Sequence, residues 1–326
     1  MMDRRSSLTA LGALTALAAG LPAAAQARYP SRPVRIVVPW TPGGAADQTA
    51  RMLATGLAAT LGQPVVVENK AGAGGRIGTE EVARAPADGH TLLLGGPSTN
   101  SIPFGIGTPL PYHPVDDFEP VAYVSRLPLV LVTNAAQGIS SLALLVERAR
   151  ARPEMLTYGS AGPGSGTHLA TAAVLAGLGL KLTHVPYKGQ GPALQDLLGD
   201  RITLLMDQMA AKAHIEAGRL RALATTGERR WFVMPDTPTL SELGQRDVVI
   251  YSWQAILAPK GTPREIVQLL NAQINAVLNS APATQFLSTN GMEARGGAAD
   301  ALREFMTQDA QRWQAVVRQN NLKVTD

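Results

Sequence analysis

The stretch from Val34 to Asp47 constrains this chain more than any other. Val34, Ile36, Val37 and Val38 make a short apolar, β-branched run that reads as a buried strand ending at Pro39. Pro42-Gly43-Gly44 follows as a tight turn. Beyond it Ala46, Ala50, Leu53, Leu57 and Leu61 recur at spacings of three and four, one face of a helix. Strand, glycine turn and helix in that order leave bare backbone N–H groups at a positive helix terminus, where carboxylates and phosphates bind.

The same rhythm continues. Pro64–Asn69 reads as a second strand, Ala71–Gly78 as a glycine loop, Thr79–Ala85 as a helix, and Thr91–Gly96 as a third strand. Strands alternating with helices argue for a parallel sheet, because parallel strands need a crossover. Residues 103–120, rich in proline, read as an irregular connection, and Val121–Val124 and Leu129–Val132 as two strands around a first crossing between lobes. The pattern then restarts. Strands at Leu156–Tyr158, Thr183–Val185, Ile202–Met206 and Leu220–Ala224 alternate with helices, so the second lobe repeats the design of the first. Residues 231–247 are irregular, Tyr251–Ala258 is a strand that returns to lobe one, and two helices close the chain. A length of 326 residues is comfortable for two such lobes.

Composition excludes several classes. A formal charge of +4 with scattered basic residues and 5% aromatics gives no nucleic-acid footprint. The five histidines show no metal-ligand spacing and there is no cysteine, so neither a metal nor a disulfide is expected. The first 27 residues read as an export signal. Arg4 and Arg5 form the positive region, Leu8–Leu21 the apolar region, and Ala25-Gln26-Ala27 the cleavage site, so the mature protein begins near Arg28. No later apolar run is long enough to span a bilayer and no cysteine could carry a lipid, so a free exported protein is expected, periplasmic in a bacterium with an outer membrane.

The glycine turns do not carry a nucleotide. Gly72 and Gly74 begin a dinucleotide pattern, but its third glycine falls at 78 rather than 77, and no P-loop lysine follows any turn. Turns offering N–H groups to a small anion fit better. A second such turn runs from Ser160 to His168, where Ser165 or Thr167 can cap the following helix or grip a ligand carboxylate. A hydrolase with Ser165 as nucleophile and His168 as base is the alternative, but the glycines sit beside Ser165, at 164 and 166, not two residues away on each side as a nucleophile elbow requires. Asp207 ends a strand, where open α/β sheets bind ligands; it either receives a ligand donor or caps the next helix. Trp40 is a ligand wall or plain packing, Asp47 complements a helix dipole, and Lys188 is a surface lysine or a carboxylate partner.

Taken in order, these segments resemble the extracytoplasmic solute receptors of tripartite tricarboxylate transporters, the Bug or TctC-like family. The resemblance runs through Tyr29-Pro30-Ser31-Arg32-Pro33, Ile36–Pro39 before Pro42-Gly43-Gly44, Gly62–Asn69, Gly72-Ala73-Gly74-Gly75 and Ala87-Asp88-Gly89. It continues in Tyr158–Gly162, Gly164-Ser165 with His168-Leu169, His184–Gly189 and Leu257–Pro263. The resemblance implies an α/β, two-lobed type II periplasmic-binding-protein fold, each lobe a mixed, mostly parallel sheet flanked by helices. Lobe 1 would comprise 28–125 and 250–326, and lobe 2 would comprise 126–249. It implies no cofactor, no catalysis, and a monomer that captures a small carboxylate (dicarboxylate, tricarboxylate, amino acid or aromatic acid) for membrane permease subunits; a receptor feeding a two-component sensor is an alternative. Carried over, Trp40, Pro42, Gly43, Gly44, Ala45 and Thr99 form one wall, and Ser160, Ser165, Gly166, Thr167, His168 and Asp207 the other. Two departures bear on the ligand: Thr41 stands where a proline is common, and Asn100 where a histidine is familiar.

Overall fold

The computed structural model describes residues 29–107, 109–152, 155–246 and 248–319. The predicted export signal lies outside the described residues. Two mixed sheets organise the chain. The first is built from β1 (Val34–Val38), β2 (Val65–Asn69), β3 (Thr91–Gly95), β4 (Phe118–Pro128), β10 (Tyr251–Pro259) and β11 (Glu293–Ala294), in the order β11-β4-β10-β3-β1-β2. The second contains β5 (Val130–Asn134), β6 (Thr157–Ser160), β7 (Thr183–Pro186), β8 (Leu204–Asp207) and β9 (Leu220–Thr225), in the order β7-β6-β8-β5-β9. In each, one long-range strand, β10 or β5, runs antiparallel to both its neighbours, while β1, β2 and β3, like β6, β7 and β8, are parallel. Leaving out the two-residue β11, the two orders are equivalent, which is the repeated design expected from the sequence.

Helix α1 (Ala45–Leu61) buries Ala50, Leu53 and Leu57, the apolar stripe of its sequence, and ends at Gly62 in the left-handed region. Helices α2 (Arg76–Ala83), α9 (Arg264–Leu278) and α11 (Ala299–Gln319) flank the first sheet; α5 (Leu142–Ala151), α6 (Gly166–Gly177), α7 (Gln190–Leu198) and α8 (Lys212–Glu216) belong to the second. No helix among the described residues is long and apolar enough to cross a membrane.

Three helices depart from the sequence reading, all for one reason. Helix α3 (Pro97–Asn100) follows β3 where only a loop was expected, α4 (Ile102–Ile106) enters the first residues of the connection expected to be irregular, and α10 (Ala281–Thr289) is a third closing helix where two were expected. Each carries proline in its first turn, at Pro97, Pro103 and Pro282. Proline breaks a helix interior but is preorganised for its start, where the missing N–H has no intrahelical partner to lose.

The eleven-residue β4 pairs with β10 as far as Pro128, opposite Tyr251. The chain therefore leaves the first sheet between Pro128 and Val130, a few residues beyond the expected boundary at 125 and 126. It returns between Thr225 and Tyr251. Thr226, fully buried, holds the two crossings together: its N–H donates to the Leu129 carbonyl at 2.9 Å, and its hydroxyl accepts from the Leu129 N–H at 2.8 Å and donates to the Ile250 carbonyl. A further bridge is Trp231, whose indole N–H donates to the Gly291 carbonyl at 2.7 Å.

Candidate functional site

A cavity of about 650 Å³ lies where the crossings pass between the lobes. Its first wall is the turn before α1, with Trp40, Thr41, Gly44, Ala45 and Asp47, joined by Pro97 and Ser98 after β3. The facing wall is the start of α6, with Ala161, Ser165, Gly166 and Thr167, together with Gln190 and Asp207–Ala210. Leu129 and Ile250–Ser252 form its back, and Trp313 reaches it from α11.

The two helix starts are built differently. Gly44, the N-cap of α1, supplies no side-chain acceptor, so no side chain caps the first-turn N–H groups. Asp47 is buried one turn further in, accepting from the Gly43 N–H at 2.9 Å and from Arg51 Nε at 3.0 Å. The Arg51 bond, then the Gly43 N–H, hold its carboxyl down at about 2. At α6 the N-cap Ser165 accepts from the His168 N–H at 3.2 Å. Gly162 and Gly164 take φ of 121° and 71°, which folds the loop back so that Thr167 Oγ1 accepts from the Ala161 N–H at 3.1 Å.

Behind this loop lies a stacked cluster. The His168 and His184 rings are 4.1 Å apart and nearly parallel, and Tyr158 stacks 4.8 Å beyond His184. His168 Nδ1 accepts from the Gly164 N–H at 3.1 Å, which assigns its proton to Nε2. Burial, then the charge of His184, pushes His168 down to about 4. Ser160 is sealed in the same layer, 2.7 Å from His184 Nε2.

Seven of the twelve residues expected at the site line the cavity: Trp40, Gly44, Ala45, Ser165, Gly166, Thr167 and Asp207. The other five do not. Pro42 and Gly43 are exposed and are not part of the lining. Thr99 is fully buried, its hydroxyl donating to the Asn100 side chain at 2.6 Å, and Pro97 and Ser98 take the cavity wall in its place. Ser160 and His168 support the α6 loop from behind. Asn100 is likewise buried, bonded to the Pro114 carbonyl, and Lys188 is exposed away from the lining. Asp207 faces the cavity; its Oδ2 accepts from the N–H of Ala211, the residue before α8, at 2.6 Å without capping that helix, while Oδ1 accepts from Gln190 Nε2 at 2.8 Å. Burial raises its carboxyl pKa against those bonds.

Among the lining residues that sequence reading missed are Gln190, Gln208, Met209, Trp313 and, on the crossings, Leu129 and Ile250–Ser252. Gln208 and Met209 directly follow Asp207 at a strand's carboxyl end, which is a usable signal. Trp313 shares a helix face with Leu302 and Met306 and reads as core alone. No hydrogen bond joins the Ser165 hydroxyl to the His168 ring among the described residues; the hydroxyl caps the helix and the ring nitrogen takes the Gly164 N–H.

Two α/β lobes joined by two crossings, with a cavity faced by one helix start from each, define a cleft-binding receptor of the periplasmic-binding-protein class. Comparison with known proteins narrows this. Residues 49–322 match the family described as the tripartite tricarboxylate transporter family receptor. Protein BugT of Bordetella pertussis is 41% identical over 301 residues, 91% of each chain. A protein of R. palustris solved with adipate superposes with a TM-score of 0.81 at 36% identity, covering 90% of this chain and 98% of the other. MatC from Rhodopseudomonas palustris, solved with bound malate, gives 0.78 at 32% identity, covering 89% and 100%. The chain belongs to the tripartite tricarboxylate transporter receptor family.

Proposed function

We propose that this chain is an exported, monomeric periplasmic receptor that captures a small carboxylate between its lobes and hands it to membrane permease subunits, making and breaking no bond. The observation that carries the reading is the pair of facing helix starts, at Gly44-Ala45 and at Ser165-Gly166-Thr167, on one cavity. Helix starts supply N–H groups and a partial positive charge without a cationic side chain. The described lining contains no Lys or Arg, so a bound carboxylate would rest on N–H and hydroxyl groups. The adipate and malate held by relatives of similar length support the same ligand class. In this reading Trp40, Gly44, Ala45, Ser165, Gly166, Thr167 and Asp207 touch the ligand, the lobes close over it, and the first 27 residues are removed on export.

Thermal denaturation in the presence of organic acids tests this. A ligand at 100 times its Kd stabilises by about 2.7 kcal/mol, an upward shift of several degrees. Neutral amides of the same acids should give no shift. If no organic acid raises the transition, the reading fails.

A further inference from the structure

The cavity's side chains say which part of the ligand is recognised beyond its carboxylate. Around the two helix starts the wall is mostly apolar, its neutral polar groups being chiefly Ser98, Gln190, Gln208 and Ser252. Trp40 and Pro97 come from the first lobe, Leu129 and Ile250 from the two crossings, Met209 from the second lobe and Trp313 from α11. The only ionisable carboxyl or basic side chains on the described lining are Asp47 and Asp207, both acidic. At about 30 Å³ per molecule the space would hold roughly twenty waters. A short hydroxylated acid could pair with a few of these amides and hydroxyls but would leave the apolar majority of the wall facing retained water, and each further carboxylate would meet two acidic groups and no cation.

Resting on the carboxylate-receptor reading above, we infer that the ligand is an organic acid with a sizeable apolar body, a ring or a methylene chain, and that its hydrocarbon part rather than additional oxygens sets affinity. The carboxylate is anchored at the helix starts and the body fills the space between Trp40, Met209 and the crossings. Closure removes the body from water on both faces, so discrimination among acids follows carbon count.

Isothermal titration of the purified protein with acetate, butyrate, hexanoate, benzoate, malate and citrate tests it. Between butyrate and hexanoate each methylene should tighten binding about fourfold. Hexanoate and benzoate should bind at least tenfold more tightly than malate or citrate, with a heat-capacity change more negative than that of acetate. Malate or citrate binding more tightly than both hexanoate and benzoate would overturn the inference and leave the carboxylate receptor standing. Binding by none of the six would remove both. Met209→Gln keeps the side-chain length and places an amide on the wall. It should flatten the dependence on chain length, and an undiminished increment per methylene in that variant would also overturn the inference.

Discussion

Helix α4 packs against α11 at a glycine, and this contact can be tested with a single carbon atom. A Cβ added at Gly105 would stand 2.7 Å from the Trp313 carbonyl carbon and 2.8 Å from both the Gln314 nitrogen and the Trp313 Cβ. Ordinary carbon contacts are about 3.5–4.0 Å, so one helix must withdraw by roughly 1 Å. Two of the three obstructing atoms are backbone, which no rotamer change can clear. Overpacking of this kind costs about 1–3 kcal/mol. Gly105→Ala recovers part of that, at most about 1 kcal/mol, from improved helix propensity. The expected net effect is a loss of about 1–2 kcal/mol, read as a lower urea midpoint with an unchanged slope. Ligand binding should weaken as well, because the displaced segment of α11 carries Trp313 into the cavity. The control is Gly191→Ala in α7, an exposed helical position with nothing within 4 Å of the added carbon. There the same substitution should stabilise by about 0.4–1 kcal/mol. If Gly105→Ala proves as stable as the unaltered protein or more so, the close approach of α4 and α11 is wrong, and with it the placement of Trp313.

Three further sites probe the cavity wall and the layers that support it. The folded pKa of His168, about 4, lies below its ordinary 6.5, so the stability it contributes is complete above pH 6.5 and lost as pH falls toward 4. At 1.36 kcal/mol per unit this is about 3 kcal/mol; His168→Gln should lose stability less steeply across that window, and equal slopes would refute the assignment. Ser165→Ala removes the cap of α6 and should cost about 1 kcal/mol in chemical denaturation, with Ser165→Thr recovering most of it. Ser101 donates to the buried Asp309 carboxylate at 2.6 Å, beside the Trp253 indole at 2.9 Å. Burial raises the Asp309 pKa, so the stability held by its neutral form is lost as pH rises through the folded value. Ser101→Ala should cost about 1–3 kcal/mol in chemical denaturation, and the cost should grow, not shrink, as pH rises and the carboxyl ionises; a cost that falls with rising pH would refute the contact.

Much of the fold was legible because its elements obey simple periods. The strand from Val34, the stripe Ala50, Leu53, Leu57 and the restart after Leu129 are local patterns whose meaning does not depend on distant residues. Helices α3, α4 and α10 were not legible because proline carries opposite meanings at a helix start and in its interior, and only the structure says which applies. At the two helix starts the cavity lining was legible to within one or two residues, whereas the stretches of the crossings that back it were not. Thr99 and Ser160 are small hydroxyl residues beside small-residue turns, just as Ser98 and Ser165 are, and the sequence contains nothing that tells the outward member from the sealed one. Trp313 was invisible as a wall because its helix face serves the core along most of its length and the cavity at one point.

The crossings clasped by Thr226 have a mechanical consequence. Leu129 and Ile250, the residues it binds, also form the back of the cavity. If the lobes close as the receptor reading proposes, the pivot of that motion lies inside the cavity, because the clasped residues are also its back wall. In that reading a ligand seated against Leu129 and Ile250 would touch the hinge directly, and its depth would bear on the angle between the lobes.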